Sequence, residues 1–194
     1  ESYKTGVIEV APNAYAFIQE NCATNAAFIV SEEGVLVIDS LMTPTLAGKL
    51  YAAIRNVMTA PIRYLINTHF HGDHVFGNQY FLPAPIVAHE NCRTELQEKF
   101  DANMQRYRQR EALIPELNQI RMTLPDVTFE DKMTIRLGDR VVELSFLGRA
   151  HSSKRYFRDH IFFELFRYLG EDRSFDHCRC HAIAQHPALN QFLA

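Results

Sequence analysis

Ile62-Arg63-Tyr64-Leu65-Ile66-Asn67, running into Thr68-His69-Phe70-His71-Gly72-Asp73-His74, is the stretch on which the reading of this chain turns. The first six residues are a short apolar run with β-branched and aromatic side chains, and they read as a strand. The next seven place three histidines and an aspartate within six positions. Imidazole and carboxylate are the ligands that zinc and similar borderline metals accept, at about 2.0–2.2 Å. His69 and His71 are two apart, so in an extended segment they point the same way and can share one metal. Asp73 and His74 follow Gly72, which is expected to let the backbone turn and aim them at a second position close by. Two such positions can hold two metals at the ~3.5–4 Å separation of two-metal hydrolysis. The plain alternative is a histidine-rich surface turn. Four ligand-type side chains at this spacing, directly after a buried strand, speak against it.

Upstream, residues 7–10, 14–18 and 26–30 read as short strands, and Ser31-Glu32-Glu33-Gly34 as a tight turn into a strand over 35–38 that ends at Asp39. Thr43-Pro44 has the form of an N-cap followed by proline in the first helical turn. Leu46, Leu50, Ile54 and Val57 then recur at helical spacing, which predicts an amphipathic helix over 44–59. Downstream, a short strand is predicted over 86–88. A long polar helix with Leu96, Phe100, Met104 and Tyr107 on one face follows it, ended or kinked by Pro115. Its charges (Arg106, Arg108, Arg110, Glu111) read as a solvated outer face rather than a binding patch. By position, the segment 90–122 could cover a cleft at the histidine motif. Residues 133–137, Gly138-Asp139 and residues 140–147 form a predicted hairpin that delivers the chain to His151. Two strand-rich blocks separated by helices fit a layered α/β domain.

The 194 residues are 47% hydrophobic and 22% charged, with a net charge of −3, enough for one domain with a real core. This balance argues against disorder, and it leaves no basic footprint of a nucleic-acid surface. No apolar run approaches the ~18–20 residues of a membrane-spanning helix. Position 1 is Glu1 rather than Met, which points to a processed or trimmed chain. No leader is visible, so a mature periplasmic or secreted protein and a cytoplasmic one both stay open. Cys22, Cys92, Cys178 and Cys180 are too few and too scattered for a disulfide framework. His89 reads as a structural histidine. Cys178-Arg179-Cys180-His181 lacks the spacer and the second pair of a zinc knuckle.

The motif at His69–His74 resembles the His-x-His-x-Asp-His signature of the metallo-β-lactamase superfamily. Its surroundings are similar too: the strand ending at Asp39, the lead-in Ile66-Asn67-Thr68, and Phe146-Leu147-Gly148-Arg149-Ala150-His151. The resemblance covers about residues 6–153 and implies an αββα sandwich with metals in a cleft at one edge of the two sheets. Carried over position by position, it implies His69, His71 and His151 on a first zinc and Asp73 with His74 on a second. Asp73 would orient a metal-activated hydroxide and could pass on a proton, while Asp39 and Thr68 would support the ligands. Flavo-diiron reductases of the superfamily carry a carboxylate at the position of His71, so histidine there favours zinc-type hydrolysis. The implied activity is attack of metal-activated water on a small-molecule β-lactam, lactone, thioester or related ester.

After Ser153 the pattern stops. Residues 154–194 hold one glycine, five arginines, six phenylalanines and four histidines, with no strand alternation; residues 162–169 are predicted as a short helix at most. The bridging aspartate and the last histidine of the family's second metal site have no counterpart in context. A reading-frame shift near codon 154 is one account of the change. The expectation is therefore a family-like domain over 1–153, an atypical tail over 154–194, and a sandwich incomplete at its C-terminus. One zinc should bind tightly and a second more weakly. The alternative is a non-catalytic metal-binding remnant of the same fold. No oligomeric state is implied.

Overall fold

The structure, a computed structural model, describes residues 5–19 and 24–146 together with the backbone of Ile161–Phe163. Strands β1 (Gly6–Ala11), β2 (Ala14–Ile18), β3 (Ala26–Ser31) and β4 (Gly34–Ile38) pair antiparallel in succession. Strands β5 (Ile62–Asn67), β6 (Ile86–His89) and β7 (Val127–Phe129) continue the sheet in parallel. The result is a seven-stranded sheet whose spatial order is the chain order. A second, three-stranded sheet has the order β10-β9-β8, from β8 (Lys132–Leu137), β9 (Arg140–Phe146) and β10 (Ile161–Phe163).

The run Gly34-Val35-Leu36-Val37-Ile38 explains the layering. It is buried throughout, as a strand covered on both faces must be. Val35 and Val37 pack with Ala47, Leu50 and Ile54 of helix α1 (Pro44–Val57), while Leu36 and Ile38 pack with Ile135, Leu137, Val142 and Leu144 of the second sheet. Helix, sheet and sheet are thus stacked as three successive layers of an αββα sandwich. Deleting one fully buried leucine such as Leu50 should cost about 2–5 kcal/mol. Among the described residues no helix is long and apolar enough to cross a membrane.

Helix α1 starts as predicted. Thr43 is the N-cap, its hydroxyl accepts from the Leu46 N–H at 3.3 Å, and Pro44 opens the first turn. It stops at Val57, because Met58 is already extended. Helix α3 (Glu90–Arg108) carries Leu96, Phe100, Met104 and Tyr107 on its inner face and exposes Arg106 and Arg108. Pro115 neither ends nor kinks it. The helix terminates at Arg108, and Pro115 lies in the first turn of the short helix α4 (Ile114–Leu117), where its missing N–H costs nothing. Of the short helix predicted over 162–169, only 162–163 are described, and there the prediction is corrected. The backbone of Ile161–Phe163 is a strand, paired antiparallel with β9 at Ile161↔Phe146. Two of its three residues are aromatic and the third β-branched, a β-favouring composition beside an open sheet edge. The rest of the tail lies outside the described residues, as do Cys22, Cys178, Cys180 and His181.

Candidate metal centre

Parallel strands β4, β5 and β6 deliver their carboxyl ends to one edge of the sheet. Asp39 follows β4, Thr68 and His69 follow β5, and His89 ends β6. Ligand sites in open parallel sheets gather at such edges. After β5 the chain bends through Thr68, His69 and Phe70; His71, itself extended, caps the short helix α2 (Gly72–Val75) carrying Asp73 and His74.

Asp39 organises this edge. It is 2% exposed and adopts a positive φ of 60°. Its Oδ1 accepts the Thr68 N–H at 2.8 Å, and its Oδ2 accepts the Thr68 hydroxyl at 2.7 Å. Nδ1 of His74 lies 2.7 Å from the same Oδ2. A carboxylate only accepts, so His74 carries its hydrogen on Nδ1. Oγ1 of Thr68 has given its own hydrogen to Asp39, so at 2.9 Å it must accept one from Nδ1 of His69. One buried carboxylate therefore fixes the Nδ1 hydrogen of both rings and leaves Nε2 as the nitrogen through which each could ligate, the arrangement in which a metal-ligating histidine is held by its other nitrogen.

The neighbouring backbone is anchored just as firmly. Leu41 also has a positive φ, 67°, which a branched side chain tolerates poorly. Hydrogen bonds hold the turn: Ser40 N–H donates to His74 O, and Gly77 N–H to Leu41 O. A Cβ on Gly77 would stand 2.0 Å from Ser40 O, so only glycine fits there. Behind the motif, the amides of Asn67 and Asn78 bond each other in both directions at 2.9 Å; Asn78 also accepts from Ser40 Oγ and donates to Thr123 O.

The predicted ligands fall into two pairs. The rings of His69 and His71 are 4.8 Å apart between centroids, close to the roughly 5 Å expected for two imidazoles on one tetrahedral metal. Nε2 of His74 and Oδ2 of Asp73 are 3.6 Å apart, against about 3.4 Å for two ligands at ~2.1 Å in tetrahedral geometry. The rings of His69 and His74 are 4.0 Å apart, so the pairs adjoin. Among the described residues no group of three or more His, Cys, Asp or Glu side chains is arranged to hold a metal. His151, the predicted third ligand of the first position, lies outside them. The donor chemistry and spacing fit zinc, two donors at a time.

The charges at this edge favour an ionised Asp73 and a protonated His74, so a metal at Nε2 of His74 would have to displace a proton there. Burial pushes the Asp73 carboxyl up, but the His74 charge and hydrogen bonds from Thr24 and Tyr107 outweigh it, and its pKa is lowered. Burial opposes protonation of His74, yet the Asp39 charge and hydrogen bond, with Asp73, raise its pKa.

Two contacts escaped the sequence reading. Thr24 Oγ1 donates to Oδ2 of Asp73 at 2.7 Å, and the Tyr107 hydroxyl donates to Oδ1 at 2.8 Å. A hydroxyl on an otherwise apolar helix face, needing a partner once buried, was the available sign for Tyr107; Thr24 offered none. The reason given for Gly72 is corrected as well. Its φ is not in the left-handed region; instead a Cβ there would meet Phe76 at 2.5 Å and Tyr107 at 2.7 Å. His89 is structural as read. Its Nδ1 accepts the Asn91 N–H at the start of α3, and its ring stacks on Phe146 at 3.8 Å. Cys92 is buried in the small core under α3.

A family profile of the metallo-beta-lactamase superfamily matches residues 20–151, more than half of the chain. Among solved structures, a metallo-beta-lactamase from Pontibacter korlensis superposes with a TM-score of 0.60 at 17% identity, over 81% of this chain and 65% of its own. The metallo-beta-lactamase GOB-18 from Elizabethkingia meningoseptica gives 0.60 at 18% identity, over 84% and 56%. A double mutant of the sec-alkyl sulfatase PisA1 gives 0.64 at 17% identity, over 82% and 29%. At these identities the likeness is one of fold. The chain spans less than two thirds of each of these proteins.

Proposed function

The chain belongs to the metallo-beta-lactamase superfamily, and from that premise we propose that it is a zinc-dependent hydrolase of small molecules with an activated carbonyl: a β-lactam, lactone, thioester or related ester. One observation carries the proposal. Asp39 and Thr68 fix the Nδ1 hydrogens of His74 and His69, which supports a reading in which each ring would ligate through Nε2. In this reading His69, His71 and His151 hold the first zinc, and Asp73 with His74 a second, weaker one. Bound zinc lowers the pKa of water towards ~7 and polarises a carbonyl.

The chain's own residues then have separate tasks. Asp73, held ionised, orients the attacking water and can accept its proton. His69 and His71 fix the first position relative to it. Asp39 and Thr68 keep both tautomers constant during turnover. The test is zinc content of the full chain together with hydrolysis of a chromogenic lactam and a thioester. Zinc-dependent turnover of either, lost in Asp73→Asn, is expected. Zinc-free protein with unchanged turnover would sink the reading.

A second reading, a metal-binding remnant without turnover, draws on the lack of any three-donor group among the described residues. Bound zinc with no hydrolysis of any lactam, thioester or lactone would favour it.

A further inference from the structure

Tyr107 lies 34 residues beyond Asp73, at the end of α3, yet its hydroxyl reaches Oδ1 of that carboxylate at 2.8 Å. The ring is wedged into the motif itself. It meets Phe76 edge to face, with centroids 5.7 Å apart, and it occupies the space that a Cβ on Gly72 would need. The helix behind it is anchored by Leu96 and Met104, which pack with Phe70, Val75 and Phe76 in one small core. At the other carboxylate oxygen, Oδ2, Thr24 donates at 2.7 Å. An ionised carboxylate has about four lone-pair positions, two on each oxygen. Thr24 and Tyr107 use one on each, which leaves Oδ2 able to face the point it shares with His74 Nε2, 3.6 Å away. The carboxylate is thereby prevented from turning about its own axis.

We propose that Tyr107 is a positioning residue for the second metal: wedged between Gly72 and Phe76, it fixes Asp73 in its ligating orientation and so raises that site's affinity, with Thr24 as its counterpart. The proposal rests on the zinc reading above. It assigns to α3 a part in metal retention.

The experiment is a competitive titration of the full-length, metal-stripped chain with zinc(II) against a chromophoric chelator, paralleled by cobalt(II) absorption spectra. Tyr107→Phe keeps the ring and removes the hydroxyl. It is expected to weaken the second equivalent by roughly 10- to 100-fold, as loss of a partner to a ligating carboxylate does, while the first is unchanged. Thr24→Val should act in the same direction. In an Asp73→Asn background Tyr107→Phe should add nothing, whereas a purely structural role would shift the first equivalent as well, in both backgrounds. Unchanged second-site affinity in Tyr107→Phe overturns the proposal and leaves the zinc reading standing, as does a wild-type chain that takes up only one zinc. A wild-type chain that takes up none removes both.

Discussion

Oδ2 of Asp39 lies 2.7 Å from Nδ1 of His74, across 35 residues of sequence, and the same oxygen takes the Thr68 hydroxyl. A single buried charge thus reaches two histidines, one directly and one through a hydroxyl. Asparagine accepts the same positive φ, so Asp39→Asn isolates the charge from the backbone conformation. The variant should lose about 1.5–3 kcal/mol in chemical denaturation, the range for hydrogen bonds to a charged group. It should also retain less zinc after dialysis. A denaturation midpoint equal to wild type would show that the charge is dispensable.

Gly72 is held to glycine by space. Because a Cβ there would press on the rings of Phe76 and Tyr107, Gly72→Ala should destabilise by about 1–3 kcal/mol through overpacking. Adding Phe76→Leu, which shortens one obstructing ring, should recover part of that loss. If the single variant melts at the wild-type temperature, the crowding is relieved elsewhere and the argument fails.

Glu116 links α4 to the start of α1 through the Thr45 N–H, at 2.8 Å. Partial burial pushes its pKa up, but hydrogen bonds from Thr45 and Thr43 and the Lys49 charge outweigh it, and the net shift is down from the ordinary 4.5. A carboxyl lowered in the folded state contributes its full stability above the unfolded value and loses it as pH falls through the folded one. Unfolding midpoints should therefore drop below about pH 4.5 less steeply in Glu116→Gln than in wild type. Parallel curves for the two proteins would refute the linkage.

Stripping zinc should lower the melting temperature, since a ligand at a hundred times its dissociation constant adds about 2.7 kcal/mol. Zinc should restore it and magnesium should not, given imidazole donors. His69→Ala with His71→Ala should abolish the shift. A chelator that leaves the melting curve of the wild-type chain untouched would argue against a tightly held metal.

The strands and the motif were legible where local chemistry and burial agree. Val35-Leu36-Val37-Ile38 is apolar because both faces are covered, and Thr43-Pro44 marks a helix start wherever it sits. Strand β7 was missed, as only Val127–Phe129 pair and their register on β6 is set by partners distant in sequence. The roles of Asp39 and Thr68 could be inferred because both adjoin strand ends. Those of Thr24 and Tyr107 could not, since each meets Asp73 only through tertiary packing. Pro115 misled for a related reason: proline ends one helix or opens the next with the same local signature, and the burial of Leu117 decides between them.

The seven-stranded sheet is laid down in chain order, each strand beside its immediate predecessor. On a ribosome, where the N-terminal part of a chain emerges first, that sheet is complete at Phe129. By then Asp39, Thr68, His69, His71, Asp73, His74 and Tyr107 have all been synthesised and can find one another. The second sheet docks onto a surface already formed. Order of synthesis thus separates an earlier part, through Phe129, that carries most of these residues from a later part that packs against it, so a change confined to residues after the second sheet leaves the earlier part free to assemble.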